Sequence, residues 1–453
     1  MNYIEYLEIL QKKYGTSNTE LLRALGDSGH AISKSNLTHK LKGQRRLTEE
    51  ELEIIIQTVC PTGTEESRLR ELFRIHQFGE EKYASVETVQ AYLSRISDSI
   101  TVNFPPPDCP LSEIGSISTE PQLHQVVYAV LEQGWGEQIV RIQCPANFRR
   151  MIDALLTLGS RMTAPVRHLI CLNNETGEKQ NLYNTHCLFT VAEPAWKNSQ
   201  YAVRFFYENA GSYAGFYTVY PYFIVTRQHL LLIAHDCRSG ILLHQENVRR
   251  CYEEEFDRIF AAAFPLMERY EGWLSCMQQS AAQEKKCTEK FYVFQRSFNL
   301  LGSLDIPLLE KYLDPDLPFR SEIIALQKQR LAEKNPVRGC VLYVSDDMQN
   351  LLQYGTAPVS QRHMLLRLQS ADRKRAAKCL SSPRFSNRLV RGDFPDISPD
   401  VAIICYDNGT VFLVHGGEVP VYLSIRERKL YLSFRTFFDY LLQFAGGTDQ
   451  PES

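Results

Sequence analysis

Apolar residues recur at helical spacing from the start of the chain. Tyr3, Leu7, Leu10 and Tyr14 mark one face, Leu21, Leu22 and Leu25 a second, and Leu37 and Leu41 a third. Leu52, Ile55, Ile56 and Val59 continue the pattern, followed by Leu69, Leu72, Phe73 and His76, and then by residues 86–96. Two start signals punctuate it. Ser17-Asn-Thr-Glu20 and Thr48-Glu-Glu-Glu51 read as capping boxes, in which hydroxyl and carboxylate each satisfy an orphan amide; a Leu47/Leu52 staple flanks the second. Gly43, just past Leu41, suits a left-handed helix stop. Residues 1–97 are expected to form a compact all-helical domain.

The pattern then breaks. Residues 98–122 hold Pro105-Pro106-Pro107, Pro110 and Pro121 among Ser, Asp and Gly, which predicts an extended linker. From Leu123 onward helical and strand periods alternate (123–132 helix, 138–143 strand, 148–158 helix, 166–172 strand), so a large α/β domain should follow. Ten of the 23 residues from Tyr201 to Phe223 are aromatic, in runs broken by Gly211 and Gly215, a composition suited to a hairpin. A weak repeat spans this part. Ile224-Val-Thr, Leu230 to His235, Gly240-Ile-Leu-Leu and a helix with Phe256 match Ile403-Ile-Cys-Tyr, Val411 to His415, Pro420-Val-Tyr-Leu and a helix with Phe437. The offsets of 180 at the histidines and 181 at the phenylalanines fit two α/β lobes, 123–285 and 290–445, related by duplication, although strand-hairpin-helix units also recur independently.

Composition narrows the class. The 453 residues allow two to four domains at roughly 100–200 residues each. A hydrophobic content of 44% with 23% charged residues describes a folded chain. The first ten residues carry Glu5 and Glu8 and lack a signal-peptide layout, and no apolar run approaches the roughly 20 residues a bilayer span needs. A cytoplasmic protein without membrane contact is expected. The twelve cysteines are scattered, without a C-x-x-C pair, and read as reduced core residues; no metal and no cofactor are expected.

With 50 Lys+Arg against 53 Asp+Glu the net charge is −3, so any affinity for nucleic acid must be local. Residues 28–48 supply such a place: Lys34, Lys40, Lys42, Arg45 and Arg46 stand there with no acid. Charge alone also describes a solvated basic face. The order of residues adds what charge cannot. Ser33-Lys-Ser-Asn-Leu37-Thr-His-Lys-Leu41-Lys-Gly43-Gln-Arg-Arg resembles the recognition helix and following turn of the Cro/lambda-repressor-like (XRE-type) helix-turn-helix family, and Leu21, Leu22, Leu25 and Gly26 resemble the end of its preceding helix.

The resemblance covers about residues 3–77 and implies a head that binds double-stranded DNA. It implies that Leu37 and Leu41 face inward, that Lys34, Ser35, Asn36, His39 and Lys40 read bases, and that Ser33, Lys42, Gln44, Arg45 and Arg46 hold phosphates. One departure stands out: Asp27-Ser-Gly-His-Ala31 lengthens the turn before the recognition helix by about five residues over the family pattern.

The rest of the chain offers little chemistry. G-x-x-x-x-G-K-[ST], H-E-x-x-H and G-x-S-x-G are all absent, and no enzyme activity is expected. His235 and His415, at matching strand ends, resemble faintly the phospholipase D-like architecture, which pairs each such His with a Lys two residues on. Cys237 and Gly417 stand there instead, so the phosphodiester chemistry should be lost, which leaves the pair as a site for a small-molecule or anionic effector, as part of a scaffold that holds subunits together, or as structural histidines. The combined expectation is a sequence-specific transcriptional regulator whose C-terminal part senses an effector or forms a homodimer. The alternatives are an enzyme with a helical docking module and an interaction scaffold.

Overall fold

The structure, a computed structural model, describes residues 1–95, 104–134, 136, 139–159, 163–174, 178–208, 219–332, 338–345, 347–380, 385–390, 397–416 and 419–444. Among these lie seventeen α-helices and two mixed sheets, divided between two compact units, 1–84 and 85–453.

The first unit holds α1 (Tyr3–Tyr14), α2 (Asn18–Asp27), α3 (Lys34–Leu41), α4 (Glu49–Val59), α5 (Gly63–Phe78) and the start of α6 (Glu80–Arg95). Its core joins the expected apolar positions: Tyr3, Leu7, Leu21, Leu25, Leu37, Ile55, Leu69 and Phe73 are all buried together. Both expected capping boxes form, at Ser17/Glu20 and at Thr48/Glu51, and a further one opens α1, where Asn2 and Glu5 exchange backbone bonds. The long turn after α2 is ordered by a Schellman motif. Gly29 adopts φ +82°, its amide bonds Gly26 O, and the His30 amide reaches back to Leu25 O at 2.8 Å. The same motif closes α3 at Gly43 (φ +71°), with Gln44 N–H on His39 O at 2.9 Å. The extra residues of the turn are anchored by Ile32, which packs against the helical core.

The helical domain was expected to run to residue 97. The compact unit ends earlier: α6 from Ser85 on belongs to the second unit, where Tyr92 stacks on Phe189 at 3.7 Å between ring centroids. The stretch 98–122 also departs from a free linker. Its residues 104–122 bury Leu111, Ile114 and Ile117, because the prolines are interleaved with apolar anchors, and Ser116–Ile117 forms an edge strand; residues 98–103 lie outside the described set.

The second unit runs β1 (Ser116–Ile117), α7 (Glu120–Gln133), β2 (Val140–Gln143), α8 (Arg149–Leu158), β3 (Val166–Asn173), α9 (Glu178–Lys197), β4 (Tyr201–Glu208), β5 (Tyr222–Val225), β6 (Leu230–Ile233), β7 (Gly240–Leu243), α10 (Glu246–Ala262) and β8 (Phe264–Pro265). It continues with β9 (Met267–Glu271), α11 (Trp273–Glu284), β10 (Lys290–Gln295), α12 (Leu300–Ser303), α13 (Ile306–Tyr312), α14 (Arg320–Ala332), β11 (Arg338–Tyr343), α15 (Met348–Tyr354), α16 (Ser370–Cys379), β12 (Phe385–Leu389), β13 (Val401–Tyr406), β14 (Val411–His415), β15 (Val421–Ile425) and α17 (Arg428–Phe444).

The strand orders are β1-β7-β6-β5-β2-β3-β4-β8 and β12-β11-β10-β13-β14-β15-β9. Read from β9, the second sheet repeats the first seven positions of the first. Each has parallel neighbours at β2/β3/β4 or β10/β11/β12 and antiparallel ones elsewhere. The expected split at 285/290 is misplaced in one respect. Met267–Glu271 pairs with β15, so β9 and the helix after it go with the second sheet; strand pairing across 150 residues leaves no local signal. Within 201–223, β4 and β5 are strands, and 209–218 lie outside the described residues.

Gly43→Ala places a side chain at φ +71° and a Cβ 2.6 Å from Ile4 Cδ1, which must swing aside. It is expected to lower the stability of the helical unit by about 1 kcal/mol or more, read by denaturant unfolding, while Gly26→Ala, helical and in open space, does not.

Candidate nucleic-acid interface

Helix α3 is a short rod with two unlike sides. Leu37 is 1% exposed and anchors the rod in the helical core, with Leu41 packed alongside. Burying such a leucine stabilises by about 2 kcal/mol, enough to fix which side faces water. Ser33 caps the helix, its Oγ accepting from Asn36 N–H at 3.1 Å. Lys34, Ser35, His39, Lys42, Gln44, Arg45 and Arg46 are exposed, and Asn36 is half-buried.

The outward side chains are partly organised among themselves. Arg45 donates to Asn36 Oδ1 at 3.1 Å, so the one amide oxygen expected to read a base is held by a neighbouring guanidinium. His39 Nδ1 faces Gln44 Oε1, and Arg46 Nε donates to Gln77 Oε1 on α5. None of these partners is acidic. Lys34 and Lys42 have neither an ion pair nor a side-chain hydrogen bond among the described residues.

Lys40 departs from its expected role as a base reader. Its Nζ lies 2.6 and 2.8 Å from the two carboxylate oxygens of Glu51, and the two side chains are 11% and 6% exposed. The ammonium therefore points to α4. Burial pushes the Glu51 carboxyl up, but the Lys40 ammonium and the Thr48 amide outweigh it and hold the group below the ordinary carboxylate range. Of the five clustered cations, Lys40 alone is neutralised by a carboxylate among the described residues.

Charge counting along the sequence misses a second pairing. Glu65 accepts from Lys13 Nζ (2.8 Å), Tyr14 hydroxyl (2.6 Å), and Thr62 amide and hydroxyl (3.2 and 2.9 Å), which tie the end of α1 to the start of α5. The Lys13 hydrogen bond is the largest of the effects that bring its carboxyl down to about 2.

The two histidines proposed for the large part are not brought to a common partner. His235 is exposed in the turn between β6 and β7, its ring 6.0 Å from Tyr222; His415 ends β14 beside Trp196 at 5.7 Å. Gly417 lies outside the described residues. The fully buried histidine is His168, whose nitrogens meet Tyr201 Oη (2.6 Å) and Cys144 O (3.1 Å); burial drives it down to about 4, so the ring stays neutral. All twelve cysteines are free, but only four are buried, and Cys60 and Cys251 are exposed. Among the described residues no group of three or more His, Cys, Asp or Glu side chains is placed to hold a metal, and no helix is long and apolar enough to cross a membrane.

No family model matches the chain, and no curated protein does. Among solved structures, NucT from Helicobacter pylori is 10% identical over 40% of this chain and 99% of its own, with a TM-score of 0.22. TrmBL2, an archaeal chromatin protein described with a novel mode of DNA binding, is 10% identical over 58% of this chain and 100% of its own (TM-score 0.25). Phosphatidylserine synthase of Haemophilus influenzae Rd KW20 is 9% identical over 80% and 91% (TM-score 0.24). At such scores the likenesses carry no argument about this chain.

Two outcomes follow from the pairings. Lys40→Met strands Glu51 as a buried lone charge and should cost about 3 kcal/mol in denaturant unfolding, whereas Lys34→Ala should stay within about 0.5 kcal/mol. Because the folded-state pKa of Glu65 is depressed, its contribution is complete above the ordinary value of 4.5 and is lost as pH falls toward about 2. Glu65→Gln should flatten that acid limb of the thermal-unfolding midpoint, and an unchanged limb would contradict the assignment.

Proposed function

We propose that the chain is a DNA-binding transcriptional regulator of the cytosol. In this reading its first unit is a helix-turn-helix head of the Cro/lambda-repressor-like kind, and its second unit carries the sensory and homodimerising function. The observation that carries the reading is the outer side of α3 and the turn after it. Lys34 at the start of α3 and Lys42, Arg45 and Arg46 in the turn after it are exposed without an acidic partner among the described residues, beside a helix that Leu37 anchors in the core. A phosphate backbone is the partner that such unneutralised charge attracts, since each neutralised phosphate releases counterions.

Lys34, Ser35 and His39, with the Asn36 amide once Arg45 turns to a phosphate, present donors and acceptors to the major groove. Ser33, Lys42, Gln44, Arg45 and Arg46 fix register on the backbone. Lys40 takes no part, because its charge is spent on Glu51. One head reads only a few base pairs, so two heads spaced about one helical turn apart are needed for specific affinity, which a homodimer provides.

Fluorescence anisotropy on genomic fragments selected by the purified protein tests the reading. Arg45→Ala/Arg46→Ala should weaken all sequences alike and lower the slope of log K against log salt by about 1.8, while Lys34→Ala should relax sequence preference. Equal salt slopes for wild type and the double variant would overturn it.

A further inference from the structure

Two histidines face each other at one end of the first sheet. The β6/β7 ladder closes on Leu230 opposite Leu243, and one step further the antiparallel register sets His229 opposite His244. Their Nδ1 atoms are 3.2 Å apart. His229 is buried, whereas His244 is open to solvent. The turn from β5 fixes the backbone of the buried one: the His229 amide donates to Thr226 Oγ1 at 3.2 Å, and its carbonyl accepts from the Thr226 amide at 3.0 Å. Gly134, at the end of α7, comes so close to Thr226 that a Cβ there would stand 2.7 Å from Thr226 Cγ2, and this approach sets the neighbouring Gln133 against His229.

The protonation of the buried ring follows from its other nitrogen. Gln133 Oε1 lies 2.9 Å from His229 Nε2, and an amide oxygen only accepts, so Nε2 carries the ring proton and Nδ1 turns a bare lone pair toward His244. Burial, with His244 adding to it, brings this ring down to about 4, so the lone pair stays available at neutral pH. A histidine whose outer nitrogen donates to a fixed acceptor while its inner nitrogen is bare has the arrangement of a metal ligand. The spacing agrees. Two nitrogens about 2.0–2.1 Å from one tetrahedral zinc stand about 3.3–3.4 Å apart, whereas neighbouring ligands at right angles stand about 2.8–3.0 Å apart. Among the described residues no third His, Cys, Asp or Glu joins the pair, so water fills the remaining positions.

We propose that His229 Nδ1 and His244 Nδ1 bind one zinc ion, with Gln133 as the positioning residue that fixes the His229 tautomer. Without the ion, His244 Nδ1 donates to its partner; on binding, that proton passes through solvent to His244 Nε2, and both rings stay neutral. The ion joins the β5–β6 turn to the connection between β7 and α10. The site stands apart from the DNA-binding reading, and failure of either leaves the other untouched.

Equilibrium dialysis of the full chain against zinc tests the proposal, with magnesium as control because imidazole suits zinc and oxygen ligands suit magnesium. Wild type should take up one equivalent that His244→Ala, altered at an exposed position, does not, and magnesium should not compete for it. In ring ¹⁵N spectra of the histidine-labelled chain, the Nδ1 signal that His244→Ala removes should move as this equivalent binds, which separates it from uptake by the exposed Cys60 and Cys251. Gln133→Leu should weaken the equivalent by about tenfold or more, and Gln133→Glu, which keeps the acceptor, should restore it. Equal uptake by wild type and His244→Ala would mean an adventitious ion only. That result, an unmoved Nδ1 signal, competition by magnesium or undiminished affinity in Gln133→Leu would each overturn the proposal.

Discussion

The grip of Glu51 on Lys40 sets the geometry of the helical unit. One carboxylate closes the start of α4 through the Thr48 amide and receives the ammonium from the last turn of α3 at 2.6 Å. With Leu37 sunk in the core on the same rod, the helix has little freedom to roll. Which cations reach solvent is decided by that constraint. Lys34 and Lys42 lie away from the anchor, and Arg45 and Arg46 follow in the turn that Gly43 makes. A positively charged surface is produced by neutralising one member of a basic cluster internally and leaving the rest outside.

Much of the helical unit was legible because its signals are local. The capping boxes at Ser17 and Thr48 and the stop at Gly43 each act within one turn of helix, and the apolar spacing of Leu52, Ile55, Ile56 and Val59 shows its buried side directly. Lys40 was misread for the opposite reason. Glu51 lies eleven residues on and beyond a turn, and a count of charges cannot tell which ammonium has a carboxylate across a helix interface. Of the paired histidines, His415 ends its strand while His235 lies two residues beyond β6 in a turn, and the sequence carries no signal for their surroundings: Tyr222 and Trp196 come to them through tertiary packing.

The large unit shows how one plan can be covered in two ways. In the first sheet, Leu123 of α7 approaches Gly240 closely, where a side chain would strike the Leu232 carbonyl at 2.5 Å, and the apolar residues of α7 are largely buried. In the second sheet, the connections between parallel strands are long and carry α12 to α16, whose own apolar core contains Phe298, Leu308, Leu351 and Leu368. Those helices are satisfied largely by one another. The side of the sheet beneath them is left incompletely filled, and no periodicity within β10 or β13 announces it, since both read as the near-continuous apolar runs of strands covered on two sides.

Between Phe264–Pro265, the last strand of the first sheet, and Met267, the first of the second, there is a single buried residue, Leu266, and its amide is bonded to Val203 O at 3.1 Å. Elsewhere Thr185 of α9 and Ser433 of α17 share a buried hydrogen bond. A joint with one residue of slack, locked at its amide and braced by a helix pair, cannot act as a hinge. A disturbance at either sheet would be handed to the other as displacement of a stiff body, by small collective shifts and without the opening and closing of lobes.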